Sequence, residues 1–383
     1  MSVLLIGCGA IGSVIAKHLC ASEAIDELVC ADIDTELAKR VGSALRSPKV
    51  RAMGLDAADP DALRAAMKGC GLVVNAAIPR FNTSIKAAAL ASGLNYLDMA
   101  MESTDPFAES DAWKAQGLTA LLGMGEDPGM GNVFARHAAD GMDRVDSVKV
   151  RDGDTASSRE HPFIALFSPE TFVEETLAPS KIWRGGAYET VPPFGARETF
   201  EFPPPVGPLT VLSVDHEEVD TLPRFLGKPV GYVDFKLALD EATVATLKLF
   251  RDLRLLEKGP VGGPSPRKAI LAAIPKPADL VGRIEGYAAL LVEVAGEAEG
   301  ERKVHTVYTI LGHREASERY GTTGTGYLTG TPAAVGAILL ASGRIRDRGV
   351  LAPESLDPQP FFPLLRERGI VVHERVTWER EVT

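Results

Sequence analysis

Gly7, Gly9 and Gly12 stand in the run GCGAIG, directly after an apolar stretch (SVLLI) and at the head of a helical pattern. Asp32 follows Gly12 by twenty positions. Each part of that spacing has a physical use: the first glycine permits a tight turn, the second lets backbone approach a pyrophosphate, and the third lets helix and strand pack closely. Ala10 and Ile11 fall in the first helical turn, where unpaired N–H groups and the positive end of the helix dipole meet phosphates. Asp32 is placed to accept hydrogen bonds from ribose hydroxyls, and its charge repels a 2′-phosphate, so NAD is expected over NADP. Arg40, one helix later, is the residue that would serve a 2′-phosphate instead. A glycine turn with no ligand is the alternative, and the coincidence of glycines, flanking elements and acid argues against it.

The other chemistry-bearing residues fall where later strands would end. In open α/β sheets ligands bind outside the carboxyl ends of the strands. Asn75, Ala76, Ala77 and Pro79, in NAAIPRF, are expected beside the nicotinamide ribose. Asp98 and then Glu102 follow the next apolar run. Breaking a C–H bond beside an amine requires the ammonium to lose a proton first, and a carboxylate there can take it or hold the ammonium. The structural alternatives are a helix cap for Asp98 and a solvated acid for Glu102. The stretch GMGEDPGMGN (123–132) repeats the glycine signal, but Glu126 and Asp127 would repel a phosphate. It reads instead as a helix start, with Asp127 as cap and Pro128 as first helical residue. Asp127 and Asn132 are then expected to form one wall of a substrate site at a crossing between domains.

These residues need elements to position them. Apolar runs at 2–6, 27–31, 49–54, 71–75, 94–98 and 118–122 alternate with alanine-rich amphipathic stretches such as DPDALRAAMKG. Continuous apolar strands separated by helices imply a parallel sheet covered on both faces. Past residue 140 the pattern changes to shorter β-like runs punctuated by proline and glycine, with helical segments at 169–178 and 241–256. A hairpin is expected over 287–311 with a polar turn at 295–303, and the proline clusters at 192–193 and 203–205 read as turns. GTTGTGYLTGTPAAVGAILLASG then returns to a small-residue helix, with Thr331 as its expected cap and Pro332 as its first residue. The expected fold class is an α/β Rossmann domain, residues 1–125 with 325–383, plus an α+β substrate and catalytic domain with a mixed sheet, 126–324.

Composition bounds the rest. With 383 residues, 45% hydrophobic and 24% charged, two soluble globular domains are expected. A net charge of −11 argues against nucleic acid and against an anionic membrane surface as partner. The N-terminus lacks the basic region of a signal peptide, and no apolar run approaches the ~20 residues of a membrane span. Cys8, Cys20, Cys30 and Cys70 show neither CxxC nor zinc spacing, so no metal site is expected, and reduced thiols point to a cytoplasmic protein.

The chain resembles the saccharopine dehydrogenase family, most closely its lysine 6-dehydrogenase-like branch. The residues that carry the resemblance are GCGAIG, LNYLDMAME, GMGEDPGMGNVFARHA, SPETFVEETLAPSKIWRGG, DHEEVDTLPRF and TGTPAAVGAILLASG. The resemblance implies NAD(P)-dependent chemistry at a carbon–nitrogen bond of an amino-acid or polyamine-like substrate, in a chain that forms a homodimer. Oxidative deamination of lysine is the first expectation. Reductive condensation giving a saccharopine- or carboxynorspermidine-like product is the second, with Arg184 or Arg197 as an added anion site. A nucleotide-binding regulator without turnover is the third. Where the family commonly has DTSY, this chain has Asp98-Met99-Ala100-Met101, which keeps the acid and loses the hydroxyls. Within DHEEVDTLPRF, His216 is the histidine expected to transfer a proton, and Arg224 is expected to clamp a carboxylate with two parallel hydrogen bonds. Thr331 joins the substrate-binding candidates, whereas His161 reads as a loop histidine and Met124, Met130 and Phe172 as packing.

Overall fold

The computed structural model describes residues 1–101, 105–257 and 265–379, and divides the chain into two compact units. The first unit joins residues 1–137 to 327–371. Its seven-stranded sheet runs, edge to edge, Gly349–Leu351, Thr119–Leu121, Asn95–Asp98, Leu72–Asn75, Ser2–Ile6, Glu27–Asp32 and Val50–Gly54. All neighbours pair in parallel. The strand order reverses on either side of Ser2–Ile6, and that switch point opens a crevice at the carboxyl edge. Val3, Leu4, Leu5, Val73 and Val74 are fully buried, as expected of strands covered on both faces. The expected helix over DPDALRAAM is present as Pro60–Met67, with Asp59 accepting from the N–H groups of Asp61 and Ala62. The seventh strand comes from the C-terminal part of the chain and extends the six read from sequence.

The second unit holds residues 138–326 and the chain from 372 onward. Its ten-stranded sheet is mixed: Arg144–Asp152 pairs in parallel with Val230–Ala238, and every other described pairing is antiparallel. The helices Pro169–Leu177, Glu218–Phe225 and Glu241–Asp252 belong to this unit. The α/β Rossmann and mixed-sheet α+β classes read from sequence are therefore the architecture observed.

Several local expectations are corrected. The hairpin is tighter than 295–303: Glu285–Ala298 and Glu301–Gly312 are joined by Glu299 and Gly300, both at positive φ (58° and 76°). Two such residues make the turn whose twist matches the flanking strands. The C-terminal strand His373–Glu379 pairs with Glu301–Gly312 in the second unit's sheet, although it was expected with the nucleotide domain. Asp127 and Pro128 do not open a helix, because the helix begins at Met130. Before it, 125–131 fold into a closed loop in which Gly125 N–H donates to Pro128 O and Met130 N–H to Gly125 O. Thr331 and Pro332 lie inside the helix Gly324–Ala341 rather than at its start. Small residues govern that helix: a Cβ on Gly330 would sit 2.8 Å from Val14 Cβ, and one on Gly336 2.8 Å from Met124 Cγ.

Candidate active site

The glycines of the first loop divide their work as their spacing implied. Gly7 sits at φ +94°, and a Cβ there would lie 2.6 Å from Ala76 O. A Cβ on Gly12 would lie 1.9 Å from Gly7 O, so the loop closes against the helix Ala10–Ala21 only with glycine at this position. At Gly9, by contrast, a Cβ would meet nothing within 4 Å. Gly9 is exposed and caps the helix without a side-chain hydrogen bond, and Ala10 and Ile11 are half-buried behind it. Two tight glycines thus frame an open one at a helix N-terminus, which fits the pyrophosphate of a dinucleotide. Asp32 ends its strand at the same rim and accepts hydrogen bonds from Cys8 N–H (2.7 Å) and Asp34 N–H (2.9 Å). A carboxylate offers about four acceptor positions, so this fixed carboxylate keeps capacity for ribose hydroxyls.

The neighbouring loop is more structural than expected. Asn75 is buried, and its amide donates to Asn82 Oδ1 (2.8 Å) and Tyr96 Oη (3.0 Å) while accepting from Ala77 N–H (3.1 Å). Ala76 N–H donates to Ile6 O (2.7 Å), and Pro79 opens a short 3-10 turn, Pro79–Phe81. Ala76 and Ala77 abut Gly7, which sets the crevice wall. The Asn75 side chain is committed to holding the loop.

The candidates for proton transfer and substrate contact in this unit are mostly tied up. Buried Asp98 accepts from Gly123 N–H (2.9 Å), and its carbonyl accepts from Met124 N–H (2.8 Å). It anchors the loop after the sixth strand, a positioning role that stands beside its expected one as a base. Asn132 does not reach out to a cleft: its Oδ1 accepts from Gly129 N–H (2.8 Å), and its Nδ2 donates to buried Glu354 (3.0 Å). Asp127 is half-buried in the same closed loop. Thr331 is buried and shares a 3.0 Å hydrogen bond with His18 Nε2. Burial, aided by the Arg368 and Lys17 charges, lowers the His18 pKa to about 4 and keeps the ring neutral. Glu102 lies outside the described residues.

The second unit contains a cavity of about 510 Å³, within the usual size range of small-molecule sites. Its wall combines Phe167, Phe172, Leu209 and Leu237 with the acids Asp152, Asp154, Asp240 and Glu241, and no lysine or arginine among the described residues lines it. Asp154 accepts from Ala289 N–H (2.8 Å) and from the Thr325 hydroxyl. Burial pushes its carboxyl pKa up, against the opposing pull of His313. His313 accepts from Gly324 N–H at Nδ1 (3.0 Å), so its Nε2 carries the proton donated to Thr155 O (2.9 Å). Burial lowers the His313 pKa, against the pull of Asp154. Asp240 receives the N–H (2.8 Å) and hydroxyl (2.8 Å) of Thr243, and Glu241 pairs with Arg197. His161 also lines the cavity, and its Nε2 is buried without a hydrogen-bond partner. Sequence reasoning left these acids aside and read His161 as a loop histidine; RDGDTASSREH, three acids and a histidine at and just past a strand end, was the available signal.

His216 stands elsewhere on the sheet. Its ring stacks on Phe235 at 3.7 Å and 5°, and its Nδ1 pairs with buried Glu218, with Glu217 at 3.8 Å. Burial works against the charged ring, but Glu218, Glu217 and Glu175 outweigh it and raise the His216 pKa well above its ordinary value. Burial likewise pushes Glu175 up to about 8, with His216 pulling it down. The Nδ1 of His216 and the carboxylates of Glu217 and Glu218 lie within 4.8 Å of one another. A metal ion needs the deprotonated ring, so a histidine held as imidazolium turns this trio toward a proton. Arg224 is exposed at the end of its helix, with its guanidinium 5.0 Å over the Phe225 ring and outside the cavity lining. Arg184 and Arg197 are paired with Glu189 and Glu241, and neither lines the cavity.

Comparison with known proteins also divides the chain in two, but the second matched segment takes in residues 327–370, which the structure places in the first unit. Residues 3–121 match the saccharopine dehydrogenase NADP binding domain, and residues 125–370 match the saccharopine dehydrogenase C-terminal domain. A carboxyaminopropylagmatine dehydrogenase from Synechocystis sp. is 26% identical over 98% of this chain and 97% of its own length. A carboxynorspermidine synthase from Vibrio alginolyticus is 28% identical over 97% of this chain and 96% of its own. Among solved structures, an apo saccharopine dehydrogenase (L-Glu forming) from Saccharomyces cerevisiae superposes with a TM-score of 0.74 at 16% identity, covering 98% of this chain and 99% of that one. That likeness is one of fold.

Proposed function

This chain belongs to the saccharopine dehydrogenase family, and from that premise we propose that it reduces the imine formed between an amine and a carbonyl-bearing amino acid. It is an NAD(P)-dependent oxidoreductase acting at carbon–nitrogen bonds. The observation that carries the finer reading is the second unit's cavity, whose described lining combines aromatic and aliphatic side chains with four carboxylates and holds no lysine or arginine. Such a wall suits an aliphatic chain bearing ammonium groups, since the methylenes bury against Phe167 and Leu237 while the charges meet acids. The names of the full-length relatives, a carboxyaminopropylagmatine dehydrogenase and a carboxynorspermidine synthase, support a carboxylated polyamine as product.

The roles divide by unit. Gly7 to Gly12 and the head of the helix Ala10–Ala21 would hold the pyrophosphate, and Asp32 the adenosine ribose, which favours NAD. The bound nicotinamide supplies a hydride to the imine carbon. Asp98 keeps the Gly123 loop in place, and the cavity excludes water from the substrate chain while its carboxylates hold the ammonium ends. The assembly we propose is a homodimer, supported by the exposed edge strand His373–Glu379. No helix of the described residues is long and apolar enough to cross a membrane. The cytoplasmic location we propose is supported by the four free cysteines.

The test is oxidation of NADH and of NADPH with a linear diamine and an amino-acid semialdehyde, together and separately. Oxidation that requires both partners is expected, faster with NADH. Turnover of lysine alone with oxidised cofactor would replace condensation by deamination, and failure with every pair would end the reading.

A further inference from the structure

We propose that His161 is the group that exchanges a proton with substrate in the second unit's cavity. The inference rests on the imine-reduction reading above and names a residue for it. The other histidines near this part of the unit are committed. His313 uses both ring nitrogens, accepting from Gly324 and donating to Thr155. His216 is clamped between Phe235 and Glu218 and does not line the cavity. His305 pairs with Glu374 (2.9 Å).

The acids that line the cavity, assigned above to the ammonium ends, each have a protein partner as well. Asp154 receives Ala289 and Thr325, Asp240 caps Thr243, Glu241 pairs with Arg197, and Asp152 accepts from Asp154 N–H (2.8 Å). His161 differs, because its Nε2 is buried at the wall with no partner. A buried polar atom left unmatched is costly unless a ligand or water satisfies it. The position is set locally: Glu160 N–H donates to Ser158 Oγ (3.2 Å), a turn that ends at His161 before Pro162. An imidazole is also the side chain that holds and releases a proton near neutral pH. The ionisable groups that line the same cavity are Asp152, Asp154, Asp240 and Glu241, with Arg159 and Glu160 beside it in the chain.

In the step assigned, Nε2–H of the imidazolium passes its proton to the imine nitrogen, and the ring becomes neutral. A dinucleotide held by the Gly7–Gly12 loop would supply the hydride to the iminium carbon, the C=N π pair becoming the nitrogen lone pair and the cofactor being left oxidised. A proton from solvent restores the ring. The balance is imine, hydride and one proton to amine.

The experiment compares His161→Gln and His161→Ala with the wild type, after circular dichroism has matched their folds. Condensation of diamine and semialdehyde is followed from pH 6 to 9. Both variants should lose about 10²-fold in kcat, with KM changed less than threefold and the limb of the pH profile due to the ring abolished. Added imidazole should restore part of the rate to His161→Ala alone. Rates within threefold of wild type with the same pH profile would overturn the assignment. A wild-type protein that turns over no pair overturns the imine reading instead. His161 is then judged by calorimetric titration of spermidine as probe: binding by His161→Ala at least tenfold altered and shifted in pH dependence keeps it, and identical binding removes it.

Discussion

Three glycines in one loop make separable claims. At Gly12 a methyl group would sit 1.9 Å from Gly7 O, a backbone atom that cannot swing aside. Gly12→Ala should therefore cost about 1–3 kcal/mol of stability by overpacking and lose dinucleotide binding with it. At Gly9 a methyl group meets no protein atom. Gly9→Ala should leave the melting midpoint within about 1 °C while weakening NADH binding tenfold or more, because the methyl occupies space meant for pyrophosphate. Calorimetric melting and cofactor fluorescence titration read the two effects apart. Asp98 offers a second residue-level contrast. As the acceptor for Gly123 N–H it needs an oxygen, not a charge. Asp98→Asn should keep most of the activity, whereas Asp98→Ala should lose about 1–3 kcal/mol through the unmatched N–H. A hundredfold loss of kcat in the Asn variant would return Asp98 to the role of base.

At the scale of elements, the helices Pro169–Leu177 and Glu218–Phe225 bring Glu175 and Glu218 to one histidine, and this arrangement couples stability to pH. Glu175 is pushed by burial from 4.5 to about 8, so the folded state retains a proton that the unfolded chain releases. His216, raised well above 6.5, does the same at higher pH. Stability then falls as pH rises, first from 4.5 to about 8 and then through the raised histidine value. The melting midpoint should drop by several degrees from pH 5 to 9, and Glu175→Gln, which cannot ionise, should flatten the slope between pH 5 and 8. An unchanged slope in that variant would detach Glu175 from the effect. Element boundaries also show where local signals yield to packing. Asp-Pro at 59–60 caps a helix as its residue types favour, yet Asp-Pro at 127–128 does not. There the Gly125 and Pro128 backbone groups bond to each other and delay the helix to Met130.

At the scale of the molecule, the second unit's sheet ends in His373–Glu379, every residue of it exposed, with Trp378 63% exposed. A strand that ends the sheet among the described residues and carries an exposed indole is a template for another strand, and a second copy is the proposed occupant. Light scattering should give twice the 40.8 kDa chain mass, and Trp378→Glu should shift it toward the monomer; a monomeric wild type would end the dimer proposal. The sequence by itself determined the class of both units and the nucleotide cradle. Strand runs, glycine spacing and the acid at Asp32 depend on backbone sterics and near-neighbour geometry, which local order encodes. Only the tertiary structure decided which polar groups are already satisfied. Asp98, Asn132 and Thr331 look available as letters, but each meets a partner far along the chain: Gly123, Glu354 and His18. His161 reads as an ordinary loop residue until the fold buries its Nε2 in a cavity wall without one. Availability for chemistry is set by what lies across a contact, and spacing along the chain does not encode that.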